Sequence, residues 1–171
     1  MKALRFRLPY NAGDQRENVT TKTGNHRTGA ESRRRKNFCF ACGQDNPGGM
    51  HLKFAADETG KQFICNFRLS KRYTGPPGHC HGGIIATILD DAMSKLNRVD
   101  DSPAATSRMT VEYLRPVPLR KPLQVWSRSI SKHGRRLTRI AEIRDEKGTV
   151  LARSRGVFVI IDPGHVFRKQ A

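Results

Sequence analysis

No stretch of this chain approaches the roughly 20 consecutive apolar residues that a membrane-spanning helix needs, so no span is expected. The opening Met1-Lys-Ala-Leu-Arg-Phe-Arg-Leu-Pro9 also lacks the apolar core of a secretory signal. Its arginines faintly suggest an organellar transit peptide, but Asp14, Glu17 and Glu31 weigh against one, and cytoplasm is the expected location. Apolar residues make up only 36% of the 171, with a mean hydropathy of −0.63, which predicts that part of the chain stays outside any packed core. Acidic residues are scarce as well: 15 Asp and Glu stand against 32 Lys and Arg, a formal charge of +17.

That excess is spread along the chain. Residues 1–36 carry ten Lys/Arg and three Asp/Glu, and the remainder carries 22 and 12. Residues 1–36 are rich in Arg, Asn, Thr and Gly, have few large apolar residues and end in Arg33-Arg-Arg-Lys36. They are expected to form a disordered basic extension. The basic remainder, 37–171, is expected to form one domain whose charge suits an anionic partner: nucleic acid, acidic lipid or a phosphorylated small molecule.

There are four cysteines. Cys39-Phe-Ala-Cys42 has metal-ligand spacing, but no second pair of that spacing follows. Zinc held by Cys39, Cys42, His51 and one further ligand is one reading. Reduced cysteines, with neither metal nor cofactor, is the preferred one.

The long helix is predicted over Gly82–Arg98, because Ile84, Ile85, Ile88, Leu89, Ala92, Met93 and Leu96 fall on one half of a wheel drawn at ~100° per residue. Thr87, Asp90, Ser94 and Asn97 fall opposite. Asp90 lies at the edge of the polar arc, and Asp91 deeper within it. Before the helix, a strand beginning at His51 and a partner over 62–69 flank the turn Asp57–Lys61. After it, four strands are predicted near 106–115, 123–132, 137–144 and 149–161, the last three as a meander. The order β-β-α-β-β-β-β places the chain in the α+β class.

Chemistry concentrates where the loop Gly75-Pro-Pro-Gly-His-Cys-His81 runs into Gly82-Gly83 and the helix. Two glycines at a helix start let backbone N–H groups approach a ligand oxygen, with the positive end of the helix dipole behind them. Asp90, further along, is placed to activate water or attack directly. Together these parts point to acyl transfer to water. Gly83 and Asp90 are separated by ~10 Å along one helix axis, too far to serve one carbonyl carbon. Two antiparallel helices related by a two-fold would bring the Gly end of one chain toward Asp90 of the other.

The element order and His81-Gly-Gly83 resemble the hotdog fold and, more narrowly, the PaaI-like acyl-CoA thioesterases of the 4-hydroxybenzoyl-CoA thioesterase-like superfamily. The match is carried by Cys39 to Phe54, by Gly75 to Gly83 with Asp90, by Thr106-Ser-Arg-Met-Thr-Val-Glu-Tyr-Leu-Arg-Pro116 and by the final hairpins, roughly residues 37–162. The resemblance implies a homodimer, often paired into a homotetramer, that hydrolyses a coenzyme A thioester. It makes Asp90 the general base or nucleophile, gives Gly82 or Gly83 the N–H that polarises the carbonyl, has His81 order the loop and has Thr106 help orient the water. It sets Tyr113 and the turn His133, Gly134, Arg135, Arg136, Leu137 and Thr138 along the coenzyme A groove. Many relatives carry Asn six positions before the His, where this chain has Gly75. Two other readings remain: a hotdog enoyl-CoA hydratase or dehydratase, echoed by Asp45-Asn-Pro with His51, and a non-enzymatic basic module that binds nucleic acid through its leader.

Overall fold

The computed structural model of the protein describes residues 36–162. The expected disordered extension over 1–36 therefore falls, all but Lys36, outside the described residues. Within them the elements are β1 (Ala55–Ala56), β2 (Gln62–Phe67), α1 (Gly82–Ser94), β3 (Ala104–Tyr113), β4 (Leu123–His133), β5 (Arg136–Asp145) and β6 (Val150–Ile160). The strands form one antiparallel sheet in the order β1-β2-β4-β5-β6-β3, and α1 packs on it. This is the helix-on-sheet arrangement that the resemblance implies.

Polar side chains set the hairpins. Asp57 Oδ1 accepts the backbone N–H groups of Lys61 and Gln62, each at 3.0 Å, which closes the turn between β1 and β2. Asp145 does the same between β5 and β6, accepting from Lys147 and Thr149 at 2.9 Å. The strand expected from His51 shrinks to two residues. Met50 and Leu52 donate instead to the carbonyls of Phe40 and Ala41, at 2.8 and 2.9 Å, which ties this segment to the cysteine loop and away from β2.

The helix buries Ile85, Ile88, Leu89, Ala92 and Met93 against Val125, Ala141, Ile143, Ala152 and Phe158 of the sheet. It approaches closely over Gly156, where an added Cβ would stand 2.9 Å from the Phe158 ring and 3.1 Å from Met93 Cε. The predicted helix end at Arg98 holds in part: α-helix stops at Ser94, and a 3₁₀ turn continues through Lys95–Arg98.

Arg139 takes a core position in the alternation of β5 and is fully buried. Its Nη1 donates to Met93 O at 3.0 Å and Asn97 Oδ1 at 2.7 Å, and its Nη2 meets Asp100 Oδ2 at 2.5 Å. The guanidinium lies 4.6 Å from the Phe158 ring centroid. A cation is thus placed at the negative end of α1, donating to a carbonyl of its last turn.

The two sheet edges differ. One is the two-residue β1. The other is the ten-residue β3, which pairs with β6 on one side only and has mostly exposed side chains.

Candidate active site

The loop before α1 is fixed by backbone hydrogen bonds to its neighbours. His81 N–H donates to Tyr73 O and Cys80 N–H to Val117 O, both at 2.9 Å. Gly75 packs so tightly that a Cβ there would stand 2.7 Å from His81 Cα, so the Asn of many relatives has no room in this backbone. His81 is extended at the N-cap position, and its Nδ1 accepts from Gly83 N–H at 3.0 Å. That bond requires an unprotonated Nδ1. It also separates the two glycines: Gly83 is used by the cap, whereas the Gly82 N–H has no acceptor among the described residues.

Tyr113, at the end of β3, donates from its hydroxyl to Gly82 O at 3.2 Å, and its ring covers the Gly82 Cα. Beside them opens a cleft of about 380 Å³ lined in part by Pro76, His79, Gly82, Ile85 and Tyr113.

Asp90 is half-buried on the flank of α1 that faces the open edge. Thr106 Oγ1 donates to its Oδ1 at 2.7 Å. Thr106 sits where the β3–β6 register shifts, between Thr106 and Arg108, and such bulges re-aim side chains. The edge strand thus touches both ends of the expected machinery, with Tyr113 on Gly82 and Thr106 on Asp90.

Asp91 departs from expectation. It is not in the solvated arc but buried, pairing with Lys95 at 3.1 Å beneath the cysteine loop. That loop covers a helix face which a two-sided wheel assigns to solvent. Cys42 Sγ lies 3.4 Å and Cys39 Sγ 3.9 Å from Asp91 Oδ1, and Lys95 Nζ reaches Cys42 Sγ at 2.7 Å. Burial pushes the Cys42 thiol up to about 11, against the opposing Lys95 hydrogen bond. Burial disfavours the Lys95 ammonium, but the Cys42 hydrogen bond and the Asp91 charge outweigh it and leave the pKa raised. His51, expected as a possible zinc ligand, instead bonds the Asn46 carbonyl through Nε2 at 2.6 Å. The residues that echo a hydratase motif have turn-forming partners: Asp45 accepts from Asn37 N–H at 2.6 Å, and Asn46 from Gly48 N–H at 2.9 Å.

The basic turn joins β4 to β5, with Gly134 at φ 55°, a left-handed value suited to glycine. His133, Arg135 and Arg136 are exposed, and Thr138 is half-buried. Arg135 donates through Nε and Nη2 to Ile160 O at 3.3 and 3.1 Å. Leu137 corrects the expected groove: at 1% exposure it belongs to the core, because strand alternation turns it inward. Register puts this turn near the Asp90 end of the sheet, since Thr106 lies opposite Phe158 and Phe158 opposite Leu137.

Comparison with known proteins agrees with this arrangement. A family model described as the thioesterase superfamily matches residues 77–152. The acyl-coenzyme A thioesterase THEM4 of Bos taurus is 28% identical over 126 residues, covering 72% of this chain and 52% of the relative. The acyl-coenzyme A thioesterase THEM5 of Homo sapiens is 29% identical over 120 residues, 69% of this chain and 48% of the relative. The chain thus spans about half the length of the curated relatives it matches. A solved thioesterase superfamily protein superposes with a TM-score of 0.68 at 29% identity, covering 72% of this chain and 60% of that one. With the helix, the six-stranded sheet and the His81-Gly-Gly83 start in place, the chain has the hotdog fold, and its residues 77–152 match the thioesterase superfamily.

Proposed function

We propose that the chain hydrolyses the thioester of an acyl-CoA to the free acid and CoA, at a site shared between two copies. The observation that carries this reading is the placement of β3, whose Thr106 holds Asp90 while its Tyr113 covers Gly82. Within one chain Gly82 and Asp90 are ~12 Å apart along the helix, too far to act on one carbonyl. Antiparallel pairing of β3 with its own copy, about a two-fold near the middle of the strand, brings Thr106 and Asp90 of one copy toward Tyr113 and Gly82 of the other. A long unpaired edge also favours such pairing.

In that composite site the Gly82 N–H donates to the thioester oxygen and stabilises the charge that develops there, an effect worth ~3 kcal/mol per donor. Thr106 occupies Asp90 Oδ1, leaving Oδ2 to take a proton from water as its oxygen attacks the carbonyl carbon. The tetrahedral intermediate collapses with cleavage of the C–S bond, and the departing thiolate takes up a proton. Direct attack by Asp90, through an anhydride that water then opens, uses the same groups. Arg135 and Arg136, with Lys132 and His133 in the same turn, offer cations for the CoA phosphates. A dimer of such dimers is compatible with this scheme.

The test is thiol release from a panel of acyl-CoA substrates by the full chain. Asp90→Asn is expected to lower the rate by about 10²–10⁴-fold with folding and dimerisation intact. An unchanged rate refutes the site, and loss of enoyl-CoA absorbance without thiol release favours a hydratase.

A further inference from the structure

The cysteine loop serves no step of the proposed hydrolysis, yet its polar groups converge on one point against α1. Among the described residues, Cys39, Cys42 and Asp91 bring their ligand atoms within 4.8 Å of one another. From these we infer that Cys39, Cys42 and Asp91 form a binding site for a thiophilic divalent cation, Zn²⁺ being the best match.

The backbone is shaped for it. Gly43 N–H donates to Cys39 O at 2.8 Å, and a Cβ on Gly43 would stand 2.4 Å from Cys39 N. Only glycine permits so tight a turn, which presents both sulfurs to the helix. Spacing agrees as well. Zinc–sulfur and zinc–oxygen bonds at tetrahedral angles put S and O about 3.6 Å apart, and the distances from Asp91 Oδ1 are 3.4 and 3.9 Å.

A second observation is independent of the sulfurs. Asp91 is 9% exposed, and its Oδ2 is buried with no hydrogen-bond partner. Buried carboxylate oxygens are rarely left unpaired, and a cation bound by this carboxylate would offset the negative charge that the unpartnered oxygen shares.

Charge balances too. Two thiolates and one carboxylate carry three negative charges, and the Lys95 ammonium, 2.7 Å from Cys42 Sγ and 3.1 Å from Asp91 Oδ1, returns one. A divalent cation brings the cluster to neutrality. Lys95 then acts outside the coordination sphere as an N–H donor to a ligating sulfur, as groups around metal ligands do. The fourth position is left to water. The ion clips the segment around Cys39–Leu52 to α1, one residue beyond Asp90, a structural role.

Titration of the reduced full chain with Co²⁺, followed by Zn²⁺ displacement, tests this. One Co²⁺ per chain is expected, with thiolate-to-cobalt charge-transfer absorption that Zn²⁺ abolishes. Cys39→Ser, a change at an exposed residue, should weaken that absorption and the affinity at least tenfold, as should Asp91→Asn. His51→Ala should leave both unchanged. The inference is overturned by absence of the charge-transfer band in the reduced wild type, by an undiminished band and affinity in Cys39→Ser, or by its loss in His51→Ala. A Cys39–Cys42 disulfide that persists under reductant and excludes metal overturns it as well.

Discussion

The Thr106 hydroxyl donates to the Asp90 carboxylate at 2.7 Å, linking an edge strand to a helix across 16 positions of sequence. If this bond aims Asp90 at water, Thr106→Val should lower kcat for thiol release by about tenfold with little change in KM. Combined with Asp90→Asn it should cost little more than Asp90→Asn alone, because the threonine acts through the carboxylate. Full additivity would assign Thr106 another role.

Gly82 is the first residue of α1 and follows an extended His81, the setting in which proline is tolerated. Gly82→Pro therefore deletes one N–H with little disturbance of the helix. Thiol release should fall about 10²–10³-fold. Mixing this variant with Asp90→Asn after subunit exchange should restore activity, since each heterodimer then holds one intact composite site. No recovery in mixtures shown to contain heterodimers would place Gly82 and Asp90 in the same site of one chain.

Gly75→Asn restores the residue many relatives carry, yet it should impair this chain. Its Cβ meets the His81 backbone at 2.7 Å, so the loop must shift and carry the N-cap with it. A loss of about 1–3 kcal/mol in urea unfolding is expected, as for other overpacked sites. An equally stable variant would show that the loop yields easily.

Burial raises the thiols of Cys65 and Cys80 from 9.0 to about 11, so the fold favours their neutral form. The corresponding stability is fully present below pH 9 and is lost as pH rises toward 11. The loss should reach on the order of 1 kcal/mol per thiol at pH 10. Urea midpoints at pH 8 and pH 10 should differ less in a Cys65→Ala, Cys80→Ala variant than in the wild type. Both thiols should also resist alkylation at pH 8 until the protein unfolds.

Most of the architecture was legible because it is local. Helical periodicity located α1, alternation and turn residues located β2 to β6, and helical rise alone separated Gly83 from Asp90. What escaped depends on contacts between distant segments. Asp91 reads as solvated until the loop around Cys39–Cys42 is laid over it. Arg139 falls within the predicted strand near 137–144, and its burial follows only once the end of α1 and Asp100 close on it. The partner of Cys39 and Cys42 proved to be Asp91, roughly fifty positions downstream, and not His51, because His51 is engaged by Asn46 within its own turn. Likewise, nothing in a Gly-Gly pair reveals that His81 caps one glycine and leaves the other open.

The inequality of the sheet edges limits how copies of the chain can join. Once β3 meets β3 of a second copy, the outer borders of the joined sheet are two strands of two residues each, Ala55–Ala56. So short a border offers too few backbone groups to recruit a third chain. In the proposed pairing, growth through the described sheet would terminate at a pair, and the brevity of β1 would keep a protein with a ten-residue exposed edge from polymerising.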